Sequence, residues 1–199
     1  MNVLYVNACI RGAESRTRRI ADSFFNALDA QFTMTEHQLD TMRLPALDHT
    51  MLAFREQCCD HGDFSSEFFK PVHDFMQSDV IVIAAPYWDL SFPSCVKVWV
   101  EHMFVRNYTF LYKNDLPVGL SHASECIYIT TAGSMMGGHN WGELYLQDAL
   151  RMLGIPKWTA ISAEGLDMAG AQTEQILQNA CRKAKKCAKT LIDSVSASC

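Results

Sequence analysis

A chain of 199 residues and 22.4 kDa has room for one well-packed domain and little more. Its 49% hydrophobic and 20% charged content is that of an ordinary globular protein, and a net charge of −5 argues against nucleic acid as the main partner. Its eight cysteines (Cys9, Cys58, Cys59, Cys95, Cys126, Cys181, Cys187 and Cys199) follow neither C-x-x-C nor zinc-ligand spacing, and no signal-peptide or membrane-spanning pattern is present, so a reduced, cytoplasmic protein with no membrane partner is expected.

Strand-like and helix-like segments alternate along the chain. Val3–Ala8 reads as a first strand. After a turn at Gly12, Arg16–Ala30 reads as a helix, with Ile20, Phe24, Ala27 and Leu28 as its apolar stripe. Thr33–Leu39 alternates weakly, as an edge strand would. Residues 40–62 look irregular, punctuated by Pro45 and Gly62, with one short helical piece over Met51–Cys58. Phe64–Met76 reads as a helix with a kink or break at Pro71.

The segment 79–85 is rich in Val and Ile and too short for a helix, which suits a strand buried on both faces of a parallel sheet. Ser94–Phe104 follows as a helix with Pro93 near its start. Glu125–Thr131 is a further strand, and Trp141–Leu153 a helix stopped by Gly154 and Pro156. Trp158–Ala163 is the last strand. Ala171–Val195 is the last helix, with Ile176, Ala180, Ala184, Ala188, Leu191 and Val195 in register. Its cluster Arg182, Lys183, Lys185 and Lys186 reads as a solvated face.

This alternation indicates a single α/β domain over 1–199, a doubly wound five-stranded parallel sheet with helices on both faces; right-handed crossovers leave few strand orders, of which 2-1-3-4-5 is a common one and the one expected here. In that order a ligand crevice lies beyond the carboxyl ends of the strands, where the loops after Ala8, Ala85 and Thr131 meet. The first loop is neither a P-loop nor a Rossmann glycine fingerprint. Ser15 and Thr17 still stand where a helix begins, so hydroxyls and free N–H groups there can hold a phosphate, helped by Arg16. Ser15 read alone is an ordinary N-cap. The second loop offers Pro86, Tyr87, Trp88, Asp89 and Leu90, whose flat side chains suit a flat ligand. The third, with Gly133, Gly137 and Gly138, lets backbone approach a ligand closely and carries His139.

Three pieces give the chain a family resemblance: Ser15-Arg16-Thr17, Ala84–Leu90 followed by Pro93 and Lys97, and Thr130–Ser134. Thr109–Tyr112 with Gly119-Leu120, and Leu153–Ile155, add to it. The chain resembles the flavodoxin-like NAD(P)H quinone dehydrogenases and FMN-dependent azoreductases. The resemblance implies that Ser15, Arg16 and Thr17 bind the FMN phosphate. Pro86, Tyr87, Trp88, Asp89 and Leu90 would lie along the isoalloxazine, with Thr131, Ala132, Gly133 and Ser134 at its other edge. Cys9, near the phosphate, replaces the family's usual hydroxyl residue; Trp88-Asp89 replaces a commoner Tyr-Asn pair, and Ser134 a frequent glycine.

The function implied is two-electron transfer from NADH or NADPH, through bound FMN rather than FAD, to a flat acceptor such as a quinone or azo compound. In that reading His139 hydrogen-bonds the acceptor. The implied assembly is a homodimer, with Trp99, Phe104, Phe54 and Phe64 as apolar residues available to its interface. The rival reading is a flavodoxin-type electron carrier with no substrate site of its own.

Overall fold

The computed structural model describes residues 1–196, so Cys199 lies outside the described residues. Five strands form one parallel sheet of order β2-β1-β3-β6-β7: β1 (Asn2–Asn7), β2 (Thr33–Gln38), β3 (Val80–Ala84), β6 (Glu125–Thr131) and β7 (Lys157–Ala163). In sequence order these are strands 2-1-3-4-5, the order expected. The two strands missing from that list, β4 (Phe110–Lys113) and β5 (Leu116–Gly119), pair antiparallel in a separate hairpin.

Every residue of β3 and β6 is buried, because helices cover both faces. Their alternating side chains feed two apolar cores. Leu4, Val6, Ile81, Ile83 and Tyr128 point to one face, packed by α5 (Ser94–Met103), α6 (Trp141–Met152) and the neighbouring α4 (Lys70–Met76). Val3, Tyr5, Val80, Val82, Ile127 and Ile129 point to the other, packed by α1 (Arg16–Phe25) and α7 (Thr173–Ser196). The predicted register of α7 holds: Ala180, Ala184, Ala188 and Leu191 are buried, while Arg182, Lys183, Lys185 and Lys186 are exposed.

Three local expectations are corrected. The first helix stops at Phe25, with Asn26 as C-cap, rather than running to Ala30. Residues 40–62 hold more order than expected, a short helix α2 (Leu39–Met42) and a 13-residue α3 (His49–His61). The Asp48 carboxylate caps α3 by accepting from the Met51 N–H at 2.8 Å, and Gly62 ends it. Phe64–Met76 is not one helix: a 3₁₀ turn at Glu67–Phe69 leads into α4, and Pro71 sits in its first turn, where a missing N–H breaks nothing. The hairpin was unforeseen; it turns at Asn114-Asp115, both with positive φ.

One polar group is buried deep in the first core. The His37 Nδ1 accepts from Trp99 Nε1–H at 3.1 Å, so its proton resides on Nε2 and is donated to the Asp74 carboxylate, also at 3.1 Å. Burial holds the His37 pKa below the usual histidine value, and Asp74 offsets only part of that. A second proton would also break the Trp99 bond.

Below the unfolded histidine pKa of about 6.5, the unfolded chain gains a proton that the folded one resists, so stability is full above that pH and falls as pH drops toward the lowered folded value. Urea midpoints measured between pH 7.5 and 5 are expected to decline, less steeply in a His37→Gln variant. A flat profile for the unaltered protein would contradict this account.

Candidate functional site

Parallel pairing continues past the strand ends. The N–H groups of Ala8, Ala85, Tyr87 and Ala132 donate to the carbonyls of Ala84, Ile129, Thr131 and Ala163, at 2.9 to 3.0 Å. The loop starts are thus extensions of the sheet, and they floor a cavity of about 280 Å³ at its carboxyl edge. Ser15, Arg16, Thr17, Pro86, Tyr87, Trp88, Thr131, Ala132 and Gly133 line it, nine of the residues singled out from the sequence.

One end of this cavity is built for an anion. Ser15 is the N-cap of α1, its Oγ accepting from the Arg18 N–H at 3.2 Å. The N–H groups of Arg16 and Thr17, in the first turn, have no intrahelical carbonyl to meet and lie at the positive end of the helix dipole. Thr17 is fully buried, and its hydroxyl shares a 2.7 Å hydrogen bond with that of Thr131, which ties α1 to the end of β6. Arg16 Nη1 makes an ion pair with Asp167 Oδ1 at 2.7 Å.

The other end is aromatic. Tyr87 and Trp88 wall it, and the Arg11 guanidinium lies 5.8 Å from the Trp88 ring centroid, within cation–π range. Trp88 and Ser91 exchange backbone hydrogen bonds of 3.1 and 2.8 Å across a two-residue turn. Both turn residues, Asp89 and Leu90, have left-handed φ, 51° and 67°, a conformation that costs a side-chain-bearing residue about 1–2 kcal/mol. The turn is braced from behind by α6. A Cβ at Gly142 would come 2.8 Å from the Phe92 ring and 3.1 Å from the Ser91 carbonyl carbon, so this close approach requires glycine.

Five of the residues singled out do not line the cavity. Cys9 is buried beneath it, its Sγ 3.7 Å from the Ala84 carbonyl, and burial pushes its thiol pKa up to about 11, so it is a neutral thiol. Asp89 and Leu90 form the turn, with Leu90 66% exposed. Ser134 is exposed, its carbonyl accepting from the Gly165 N–H. His139 is also exposed, with Nδ1 3.1 Å from its neighbour Gly137's carbonyl; only its backbone oxygen reaches toward the site, accepting from the Tyr87 hydroxyl at 3.4 Å.

Five lining residues were missed: Ile10, Arg11, Glu14, Leu166 and Asp167. The first three belong to a loop already identified. The last two come from the loop after β7, which the parallel topology brings to the same edge as the others. Among the described residues no cluster of three or more His, Cys, Asp or Glu is arranged to hold a metal ion. The helix N-terminus and the aromatic wall suit a ligand with an anionic head and a flat aromatic body, and the phosphate and ring of FMN fit that description.

The chain is similar to known proteins over nearly its whole length. The chain is 33% identical over 198 residues to the FMN-dependent NADH:quinone oxidoreductase 2 of Clostridium acetobutylicum, covering 94% of this chain and 98% of that protein. It is 32% identical over 198 residues to the FMN-dependent NADH:quinone oxidoreductase of Clostridium beijerinckii, with the same coverage. Among solved structures, azoreductase from Bacillus anthracis superposes with a TM-score of 0.85 at 19% identity, covering 96% of this chain and 99% of that one, a likeness of fold. With the flavodoxin-like fold family model matching residues 1–187 as well, the chain belongs to the flavodoxin-like fold family.

Proposed function

We propose that this protein is an FMN-dependent oxidoreductase that transfers two electrons from NADH to a flat acceptor such as a quinone or an azo compound. The observation that carries the reading is one cavity joining a helix N-terminus with free N–H donors to an aromatic wall of Tyr87 and Trp88, in a chain similar over nearly its whole length to FMN-dependent NADH:quinone oxidoreductases.

When bound, FMN would supply the hydride-accepting and electron-donating chemistry, which belongs to the cofactor rather than to side chains. The chain's own residues bind and orient. Ser15, Arg16 and Thr17 would hold the phosphate, with Thr17 kept in place by its bond to Thr131. Tyr87 and Trp88 would lie along the ring, and the backbone of Ala132 and Gly133 along its other edge. Asp89 and Leu90 act through the turn that sets Trp88, so they are positioning residues.

The assembly belongs to the same proposal. We read the protein as a homodimer, supported by exposed apolar side chains at the carboxyl edge of the sheet: Leu90, Met135, Trp141, Leu144 and Met168. The sequence-based interface candidates give less support. Trp99 is fully buried in the core, Phe64 and Phe104 are half-buried, and only Phe54 is exposed. The reduced, cytoplasmic setting is likewise part of the proposal; among the described residues no helix is long and apolar enough to cross a membrane.

Protein loaded with FMN under anaerobic conditions is expected to bleach on adding NADH and to recover its colour on adding a water-soluble quinone. Bound FMN that NADH leaves unbleached would favour the electron carrier instead. Replacing Trp88 by Ala removes an aromatic contact worth about 1 kcal/mol and should weaken FMN binding about fivefold.

Sedimentation equilibrium should return roughly twice the 22.4 kDa chain mass, with Trp141→Glu shifting the balance toward monomer. A monomer for the unaltered protein at all concentrations would rule out the dimer.

A further inference from the structure

A carboxylate stands in the part of the cavity that is otherwise built for an anion. Asp167 follows β7, and its loop is laced to the loop after β6 by three backbone bonds. Gly165, Leu166 and Asp167 donate to the carbonyls of Ser134, Ala132 and Gly133, at 3.1, 3.2 and 2.9 Å. On its far side the Leu166 carbonyl accepts from the Thr173 hydroxyl at 2.8 Å. The Asp167 backbone is therefore held, and its carboxylate, although largely exposed, lines the cavity.

Residue 133 makes room for it. A Cβ on Gly133 would lie 2.5 Å from Asp167 Oδ2, so the carboxylate occupies the space that a larger residue would fill. Its other oxygen is 2.7 Å from Arg16 Nη1, at the first position of α1. Arg16 is thus engaged by an internal acid at the helix N-terminus, where the phosphate is read to bind. Both side chains are partly exposed, 41% and 62%, so the pair is weak enough to be opened by a stronger anion. Glu14, also in the lining, adds negative charge to the same region.

We propose that Asp167 competes with the cofactor's phosphate for Arg16, so that it sets how strongly the site prefers a phosphorylated flavin over an unphosphorylated one. The proposal rests on the reading that the phosphate of FMN binds at Ser15, Arg16 and Thr17. A phosphate dianion entering there competes with the carboxylate for the donors of Arg16 and shares the region with it, at like-charge cost. Riboflavin, which has the same ring and no phosphate, meets neither penalty.

The test is flavin fluorescence quenching by the full-length protein, titrated with FMN and with riboflavin, for the unaltered chain, Asp167→Asn and Arg16→Ala. Asparagine keeps the shape and backbone bonds of residue 167 and removes its charge. Asp167→Asn should tighten FMN about tenfold and change riboflavin less than about twofold, and the gain should shrink as salt rises. Equal changes for both flavins, or weaker FMN binding, would overturn the role of Asp167. Arg16→Ala tests the underlying reading separately: it should weaken FMN and spare riboflavin. If Arg16→Ala leaves the ratio of the two flavins unchanged, the phosphate reading itself fails, whatever Asp167→Asn does.

Discussion

The parallel pairing of five strands is the constraint on which the rest depends. Parallel neighbours require crossovers, crossovers bury both faces of the sheet, and every connection leaving a strand emerges at one edge. Pairing that runs on to Ala8, Tyr87 and Ala132 keeps those connections rigid for their first residues. A helix N-terminus, an aromatic wall and a glycine-bearing backbone, drawn from residues more than a hundred positions apart, thereby share one cavity.

Within the cavity the two ends obey different physics. At the α1 end the donors are backbone N–H groups and Arg16, whose pull on an anion is electrostatic, screened by salt and moderated by Asp167. At the other end the attraction is that of flat surfaces, supplied by Tyr87 and Trp88, with the Arg11 guanidinium 5.8 Å from the Trp88 ring. The left-handed pair Asp89-Leu90 stores strain to hold Trp88, and the close packing of Gly142 against Ser91 and Phe92 keeps that turn from relaxing. Binding and orientation are thus separable, which suits a protein whose chemistry resides in a bound group.

Much of this was legible in the sequence because it rests on short-range patterns. The apolar run of β3 announces a strand buried on both faces, and the register of Ala180, Ala184 and Ala188 announces the buried stripe of α7. Handedness left few strand orders, and the common order 2-1-3-4-5 among them gave three of the four loops. The extent of α3 was less visible, since Cys59 is its one fully buried residue and its pattern lacks a clear stripe; its caps, Asp48 and Gly62, were the better signal. The β4–β5 hairpin hid behind Asn114-Asp115, a turn without glycine, and Pro117 within a strand. Nothing local announces that Asp167 meets Arg16 across 151 positions, or that His37 is held between Trp99 and Asp74. Those pairings exist only once the sheet has brought the elements together.

The central claim is that one cavity at the carboxyl edge of the sheet holds FMN, head at α1 and ring against the aromatic wall. A crystal structure of the protein grown with FMN tests it most directly. The account predicts phosphate density against the N–H groups of Arg16 and Thr17, with Asp167 drawn off Arg16, and ring density along Tyr87 and Trp88. Flavin density elsewhere, or in this cavity with the phosphate turned away from α1, would contradict it.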